Sequence, residues 1–108
     1  MAKYVMTKTS DNEFRWVLKA GNGEPLLTSE TFTTKQNCRA SIESSKKNLG
    51  DDSFKKLDSV RHQPYFTQVA GNHQPLATSE MYASAQSRDN GIESVRKNAP
   101  DAQIEDLT

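Results

Sequence analysis

The chain has 108 residues, of which 33% are hydrophobic and 7% aromatic, and its mean hydropathy is −0.83. Lysine plus arginine and aspartate plus glutamate both number 14, so the formal net charge is zero. A chain of this length supports one small core, and its charge balance lacks the basic excess with which non-specific nucleic-acid binders neutralise phosphates, although a local basic patch is not excluded.

The single cysteine and the N-terminal segment bear on the expected location. Cys38 has no second cysteine with which to form an intramolecular disulfide, which fits a reducing compartment. Residues 1–6 enter a strand-like pattern at once and lack the apolar core of a signal peptide. No stretch approaches the roughly 20 apolar residues of a membrane span. We therefore expect a soluble, cytoplasmic protein without a membrane partner.

The first predicted elements are two strands separated by a turn. Residues 4–8 and 14–20 are short runs rich in aromatic and β-branched residues, and alternate residues of the second run share one face. Residues 10–13 between the two runs, Ser-Asp-Asn-Glu, are typical of a turn. Residues 21–23, Gly-Asn-Gly, supply the positive φ angles of a second tight turn. These signals predict an antiparallel meander.

A third strand and a helix follow. The strand is predicted over residues 24–29 and begins beside Pro25, a residue that sheets accept at strand starts and edges. Thr34 is the predicted N-cap of a helix in which apolar residues recur at three- and four-residue spacing as far as Leu49. Gly50 supplies its C-terminal stop.

The same series of elements recurs at a constant offset of 50 residues. Residues 20–52 align with residues 70–102 without a gap, and roughly 15 of the 33 aligned positions are identical. The second copy repeats the helix N-cap at Ser84 and has Pro100, another helix stop, where the first copy has glycine. Self-similarity at a fixed period indicates a tandem duplication.

Each unit also carries a strand after its helix. Apolar pairs follow the two helices at the same offset, Phe54 with Leu57 and Ile104 with Leu107. Residues 53–60 close the first unit and also occupy the place in the second unit that residues 3–10 hold in the first. The two units therefore share or exchange a strand.

These elements predict an α+β fold. We expect a single domain over residues 1–108, composed of two tandem β3-α-β repeats at about 3–52 and 53–108. The repeats are expected to form one pseudo-two-fold domain, in which two helices pack on an antiparallel sheet.

Several motifs resemble the YegP-like family of small bacterial proteins over essentially the whole chain. They are Ala20–Gly23, Thr28–Glu30, Thr78–Tyr82, Asn90–Val95 and Lys97–Asp101. The resemblance implies two β3-α-β units around a common sheet, with the strand after each helix exchanged between units. It also implies single-unit relatives that build the same object as dimers. The family is one of unknown biochemical function, so the resemblance implies no catalytic residue.

The chain departs from the usual pattern of that family in three places. Ala40-Ser41-Ile42 stands where Asn-Gly-Ile is expected, Ser45 where valine is expected, and Gln68-Val69 where Leu-Lys is expected. The two halves are therefore not expected to present equivalent surfaces.

Residue types that support metal or nucleophilic chemistry are sparse. The chain offers His62, His73 and Cys38 in three separate segments, whereas a metal site needs several ligands at suitable spacing. Cys38 lies on the apolar stripe of the first predicted helix, which favours a buried structural thiol over a nucleophile. The nucleophile elbow, phosphate loop and dinucleotide fingerprint are absent. We predict no metal and no cofactor.

The Thr-Ser-Glu motif is the polar group that recurs between strand and helix in both copies. Its candidate site residues are Ser29 and Glu30 in the first copy and Ser79 and Glu80 in the second. A hydroxyl beside a carboxylate can bind a polar ligand or transfer protons. Serine and glutamate before a helix also commonly satisfy the free backbone groups of its first turn, and this structural role is favoured.

The sheet face opposite the helices is a second candidate surface. If Trp16 and Phe66 point toward the helices, Tyr65 and Val69 lie on the open face and are candidate contacts for a partner.

Three hypotheses for function follow. The leading one is a small, monomeric, non-enzymatic module, a fused pseudo-dimer, that binds a protein or a small polar ligand through the open sheet face or the strand–helix junctions. The second is an enzyme acting on a small polar substrate through the Thr-Ser-Glu motifs, which predicts a concave pocket with a raised glutamate pKa. The third is a nucleic-acid binder using Lys46, Lys47, Arg96 and Lys97 at the helix ends.

Overall fold

The chain begins with a three-stranded antiparallel meander, as the alternation predicts. A computed structural model describes residues 1–108, and its first strands are β1 (Lys3–Lys8), β2 (Phe14–Lys19) and β3 (Pro25–Ser29), paired in this order. Asn12 and Gly23 have φ angles of 63° and 86° in the two connecting turns, a conformation that these residue types adopt readily.

The second repeat builds the same elements again. Its strands are β4 (Phe54–Asp58), β5 (Pro64–Val69) and β6 (Pro75–Thr78), and the helices of the two repeats are α1 (Lys35–Lys47) and α2 (Ala85–Asn98). The last strand is β7 (Gln103–Asp106). None of these helices has the length and apolar character needed to cross a membrane.

Both helices begin at the predicted N-caps. The Thr34 hydroxyl accepts a hydrogen bond from the Asn37 amide at 3.1 Å, and the Ser84 hydroxyl accepts one from the Ser87 amide at 3.1 Å. Each bond satisfies a donor that the first helical turn leaves free.

The two meanders join into one seven-stranded sheet of order β4-β5-β6-β3-β2-β1-β7. The junction is the antiparallel pair β3–β6, where Thr28 faces Thr78. Strand β7 runs parallel to β1, so the sheet is mixed, and the prediction of a wholly antiparallel sheet is wrong at this pair. The reason for the error is that side-chain alternation defines the two faces of a strand and not the direction of the neighbour it will pair with.

The predicted strand exchange is confirmed. Strand β7 follows the helix of the second repeat but pairs with β1 of the first. Strand β4 follows the helix of the first repeat and opens the meander of the second. The first repeat is therefore completed by a strand from the second, and β4 connects the helix of the first repeat directly to the sheet of the second.

Both helices pack on one face of the sheet, where the two copies of the core differ in chemistry. In the first copy, the Trp16 indole N–H donates to the Ser41 hydroxyl at 3.0 Å. In the second copy, Phe66 and Gly91 stand at these positions, and the Phe66 ring stacks on Tyr82 with a centroid separation of 6.1 Å. A Cβ atom added at Gly91 would collide with the Tyr82 hydroxyl, so glycine makes room for that ring.

A buried polar network connects helix α1 to the second repeat. The Ser45 hydroxyl donates to the Gln68 side-chain carbonyl at 2.7 Å and hydrogen-bonds the Tyr4 hydroxyl at 2.8 Å. The Gln68 amide donates to the carbonyls of Ser45 and Asn48, each at 2.9 Å. Burial raises the pKa of Tyr4 to about 12, outweighing the opposite effect of its bond to Ser45.

The equivalent place in the other half of the molecule is apolar. Fifty residues separate Tyr4 from Phe54 and Ser45 from Val95, and Leu18 is the counterpart of Gln68. All three counterparts are buried. Ser45 and Gln68, two of the departures from the family pattern, are therefore hydrogen-bond partners of each other.

Ion pairs hold β7 on the first repeat. Asp106 lies 2.6 Å from the Lys35 ammonium and 3.1 Å from the Arg39 guanidinium, both on α1. Glu105 lies 2.8 Å from the Lys3 ammonium on β1. Hydrogen bonds from Lys35 and Thr108 hold the pKa of Asp106 well below its ordinary value.

We predict that Gln68→Leu alone destabilises the protein by about 1–3 kcal/mol, because it leaves buried partners without a hydrogen bond. Adding Ser45→Val and Tyr4→Phe should recover most of the loss, since the other half packs the equivalent apolar residues. Urea unfolding of the single, double and triple variants measures the coupling. Additive losses across the three substitutions would contradict a shared network.

We predict that acid loosens β7. A depressed carboxyl pKa contributes stability above the ordinary aspartate value of about 4, and that contribution is lost as the pH falls toward the folded-state pKa. Amide exchange at Leu107, which donates to the Met6 carbonyl, should therefore accelerate between about pH 4 and pH 2 relative to strand β2. Asp106→Asn should raise this exchange at neutral pH, and equal protection in the variant would contradict the account.

Candidate functional site

The structure gives the two motif serines a structural role within the sheet. The Ser29 hydroxyl accepts a hydrogen bond from the Trp16 amide at 2.9 Å and donates to the Glu30 carbonyl at 2.7 Å. In the second copy, Ser79 accepts from the Phe66 amide at 2.9 Å and donates to the Glu80 carbonyl at 2.8 Å. Each buried hydroxyl bonds the backbone of the neighbouring strand, and neither caps a helix.

The glutamates of the motif extend away from these serines into solvent. Glu30 and Glu80 are both exposed. Because the serine hydroxyls already use their proton and accept a backbone bond, they offer no free nucleophile beside a carboxylate. Glu80 lines one of the grooves described below, whereas Glu30 lines none.

Of the two candidate residues on the open sheet face, one is accessible to solvent and the other is buried. Tyr65 is partly exposed. Val69 is only 4% exposed, so its side chain offers almost no surface to a partner. The strand register shifts between Gln68 and Val69, and such an irregularity changes the local twist and the direction in which side chains leave the sheet.

The basic residues at the helix ends do not form one free patch. The Arg96 guanidinium donates to the Leu49 carbonyl at 2.9 Å, to Glu93 at 2.8 Å and to Asp51 at 2.6 Å. The Lys46 ammonium lies 5.9 Å from the centre of the Tyr4 ring. Lys47 and Lys97 are exposed.

The cysteine and the two histidines lie on different elements of the fold. Cys38 is buried, and burial raises the pKa of its thiol to about 11, so the thiolate is scarce at neutral pH. His62 and His73 are exposed turn residues with φ angles of 62° and 66°. No three His, Cys, Asp or Glu side chains gather in an arrangement suited to a metal ion.

Two related grooves lie where the helix of one repeat meets the third strand of the other. The first groove has a volume of about 470 Å³ and the second about 510 Å³. The first groove is lined by Phe32, Asn37, Ala40, Ser41, Ser44, Ala70, Asn72, Gln74, Pro75 and Leu76. The second groove is lined by Glu24, Pro25, Leu26, Glu80, Met81, Tyr82, Asn90 and Gly91. Both volumes lie in the range of small-molecule sites.

The second groove has negatively charged side chains and a phenol hydroxyl that the first groove lacks. Glu24 in the second groove corresponds to the neutral Gln74 in the first, and Tyr82 corresponds to Phe32. Glu80 adds a second carboxylate, and Met81 contributes an apolar side chain that is 45% exposed. Because Glu24 belongs to the first repeat and Glu80 to the second, only the folded union of both brings these carboxylates to one groove.

Burial and the carboxylates of the second groove both affect the pKa of its tyrosine, Tyr82. Burial raises the pKa of Tyr82, and the charges of Glu80 and Glu24 raise it further because each disfavours a phenolate nearby. The groove therefore has an apolar floor, a hydroxyl and a negative rim, which together suit a positively charged group with an apolar stem.

Reasoning from sequence identified Glu80 but missed Glu24 and Tyr82. Residues shared by both copies stand out as motifs in the sequence, and they serve the common backbone geometry. A comparison of the positions where the copies differ, such as Glu24 against Gln74, carries the signal of the second groove.

Residues 10–55 and 60–106 each match the family model of a domain of unknown function, DUF1508. A UPF0339 protein of Acinetobacter baylyi is 46% identical over 64 residues, and the UPF0339 protein YegP of Escherichia coli K12 is 42% identical over 64 residues. In both alignments the matched segment spans 58% of this chain and 58% of the relative.

The fold is shared with two structures solved by solution NMR. A UPF0339 protein of Shewanella oneidensis superposes with a TM-score of 0.92 at 44% identity, over 99% of this chain and 92% of that one. The Escherichia coli protein YegP, described as a protein of unknown function, superposes with a TM-score of 0.92 at 42% identity, over 99% of this chain and 93% of that one. With both repeats matched by its model, the chain belongs to the DUF1508 family, a family of unknown biochemical function, and it shares its two-helix, mixed-sheet fold with both NMR structures.

Proposed function

We propose that this protein is a non-enzymatic binding module whose second groove holds a positively charged polar group. The observation that carries the proposal is the convergence of Glu24 and Glu80, from different repeats, on one groove beside Tyr82. The related first groove has glutamine in place of Glu24, so the charge is not a by-product of the repeated backbone.

The lining of the groove favours a guanidinium or ammonium on a short apolar stem. Leu26 and Pro25 offer apolar surface along one side, while the exposed Met81 can adapt to an irregular stem. The carboxylates of Glu24 and Glu80 supply acceptors for the cationic end. Arginine has both an apolar stem and a cationic end. The arginine group has two possible sources, a free amino-acid-like ligand and a side chain of a protein partner.

A binding role agrees better with the polar groups of the fold than catalysis does. The hydroxyls of Ser29 and Ser79 are committed to backbone groups, and the thiol of Cys38 is protonated at neutral pH. We further propose that the protein acts as a cytoplasmic monomer, because the duplication supplies within one chain the two units that a dimer would otherwise bring together. Single, buried Cys38 is compatible with a reducing compartment.

Binding of a small arginine peptide tests the proposal. We predict that Gly-Arg-Gly shifts the NMR signals of residues 24–26 and 80–82, whereas the same peptide with neutral citrulline binds less. Glu24→Gln and Glu80→Gln should each weaken binding roughly two- to fivefold, the range expected for partly exposed ion pairs. Free L-arginine, which carries charged α-ammonium and α-carboxylate groups and is run in parallel, distinguishes a free small ligand from a peptide side chain.

Glu30→Gln is the matched control, because Glu30 is the exposed counterpart of Glu80 and lines no groove. It should leave the affinity unchanged. Equal binding of the citrulline peptide, or an equal loss in Glu30→Gln, would show that the negative rim of the second groove is not the determinant.

A further inference from the structure

The two outer edges of the sheet differ in one respect. Strands β1 and β4 are equivalent in the two repeats, and β7 covers the outer edge of β1 as a parallel neighbour. Strand β4 is the last strand at its end of the sheet and has β5 as its single neighbour. The place beside β4 that corresponds to β7 is therefore open.

Backbone groups of β4 point into this open place. The Met6 carbonyl of β1 accepts a hydrogen bond from the Leu107 amide, and Lys56 is the counterpart of Met6. On the inner side, Lys56 faces Phe66, whose amide and carbonyl are both bonded to Ser79 on the far side of β5. The N–H and C=O of Lys56 are consequently directed away from β5, free to bind an added strand.

A cavity of about 450 Å³ adjoins the same edge, between β4 and α2. Phe54 and Ile92 are the two apolar residues of its lining, and the other six are Asp51, Lys56, Asp89, Asn90, Glu93 and Arg96. The Arg96 guanidinium carbon lies 5.3 Å from the centre of the Phe54 ring. At the covered edge, Ile104 of β7 faces Tyr4, the counterpart of Phe54, and packs against the core. The cavity thus corresponds to the place that the Ile104 side chain fills on the other side.

The uncovered edge exposes two apolar side chains at places where the covered edge has polar residues. Leu57 is 39% exposed and Val60 is 98% exposed, whereas the equivalent residues of the first repeat are Thr7 and Ser10. Lys55 is exposed on the sheet face opposite the helices, at the place equivalent to Val5, which faces Glu105 of β7. Apolar contacts and a free cation are therefore available to an added strand.

We propose that β4 binds an extended, acidic segment of another protein as an added parallel strand. An apolar residue of that segment lies opposite Phe54 and enters the cavity, and the next residue is acidic and pairs with Lys55. Main-chain bonds to Lys56 provide affinity, and the two side chains provide specificity, as in other cases of strand addition. This surface is distinct from the second groove, so the proposal stands independently of the proposed function.

A second copy of the chain fits this edge poorly. Antiparallel pairing of two β4 strands would bring the adjacent lysines Lys55 and Lys56 of one copy against those of the other, and like charges across strands destabilise the pair. Lysines commonly protect edges from self-association in this way. Lys56 already lies 3.2 Å from the Asp89 carboxylate on α2, so Lys55 is the charge that attracts an acidic strand.

A peptide with the sequence of residues 102–108, Ala-Gln-Ile-Glu-Asp-Leu-Thr, is a suitable probe because this sequence already pairs with the equivalent strand. Titrated into the intact protein, it should shift the NMR signals of residues 54–58 and of α2, and slow amide exchange at Lys56. Lys55→Glu should weaken binding roughly fivefold. A peptide with Glu105→Lys should bind this variant better than it binds the unaltered protein.

Lys56→Pro removes the outward donor while sparing the bonds to β5, a substitution that sheet edges tolerate, and should abolish binding. Lys47→Glu, an equal charge reversal on the exposed side of α1, is the control and should have no effect. Thermal unfolding of each variant verifies its fold, and the charge exchange at Lys55 remains decisive if Lys56→Pro unfolds. Absence of shifts at millimolar peptide, self-association through β4, or equal weakening by Lys47→Glu would overturn the proposal.

Discussion

Inside the core, the side-chain amide of Gln68 contacts the helix of the other repeat through three hydrogen bonds, one from the Ser45 hydroxyl and two to the carbonyls of Ser45 and Asn48. One turn earlier on the same helix, the Ser41 hydroxyl accepts a hydrogen bond from the Trp16 indole N–H of the first repeat. Helix α1 is thus fixed to both halves of the sheet by directional bonds. Because buried polar groups are costly when unpaired, these bonds also fix the register in which the repeats meet.

The two proposed binding surfaces result from the way in which the repeats are joined. The grooves exist only because the helix of one repeat lies beside the third strand of the other, and the second groove draws its carboxylates from both. Strand β4 is both the strand that follows the helix of the first repeat and the first strand of the second repeat. Because one strand serves both purposes, the sheet has seven strands, and nothing lies beside β4 at the place that β7 occupies beside β1. Duplication thus repeated the backbone, whereas later divergence at single positions made the halves chemically different.

Local signals in the sequence predicted most of the fold. Thr34 and Ser84 cap the helices as expected, and the alternation around Trp16 correctly placed its ring against them. The parallel direction of β7 was not predictable, because strand propensity carries no information about which neighbour a strand will choose. Ser45 and Gln68 were recognised as departures from the family pattern, but a contact between residues 23 positions apart depends on helix placement that only the tertiary structure supplies. For the same reason, the sequence did not predict that Glu24 and Glu80 line one groove.

The two homologous repeats, joined through the core and through strand β7, form one cooperative unit and not two linked domains. Differential scanning calorimetry tests this most directly, since a single unit gives equal calorimetric and van't Hoff enthalpies. We predict one symmetrical transition with a ratio close to one for the intact chain at neutral pH. Two resolved transitions, or a calorimetric enthalpy about twice the van't Hoff value, would contradict the account.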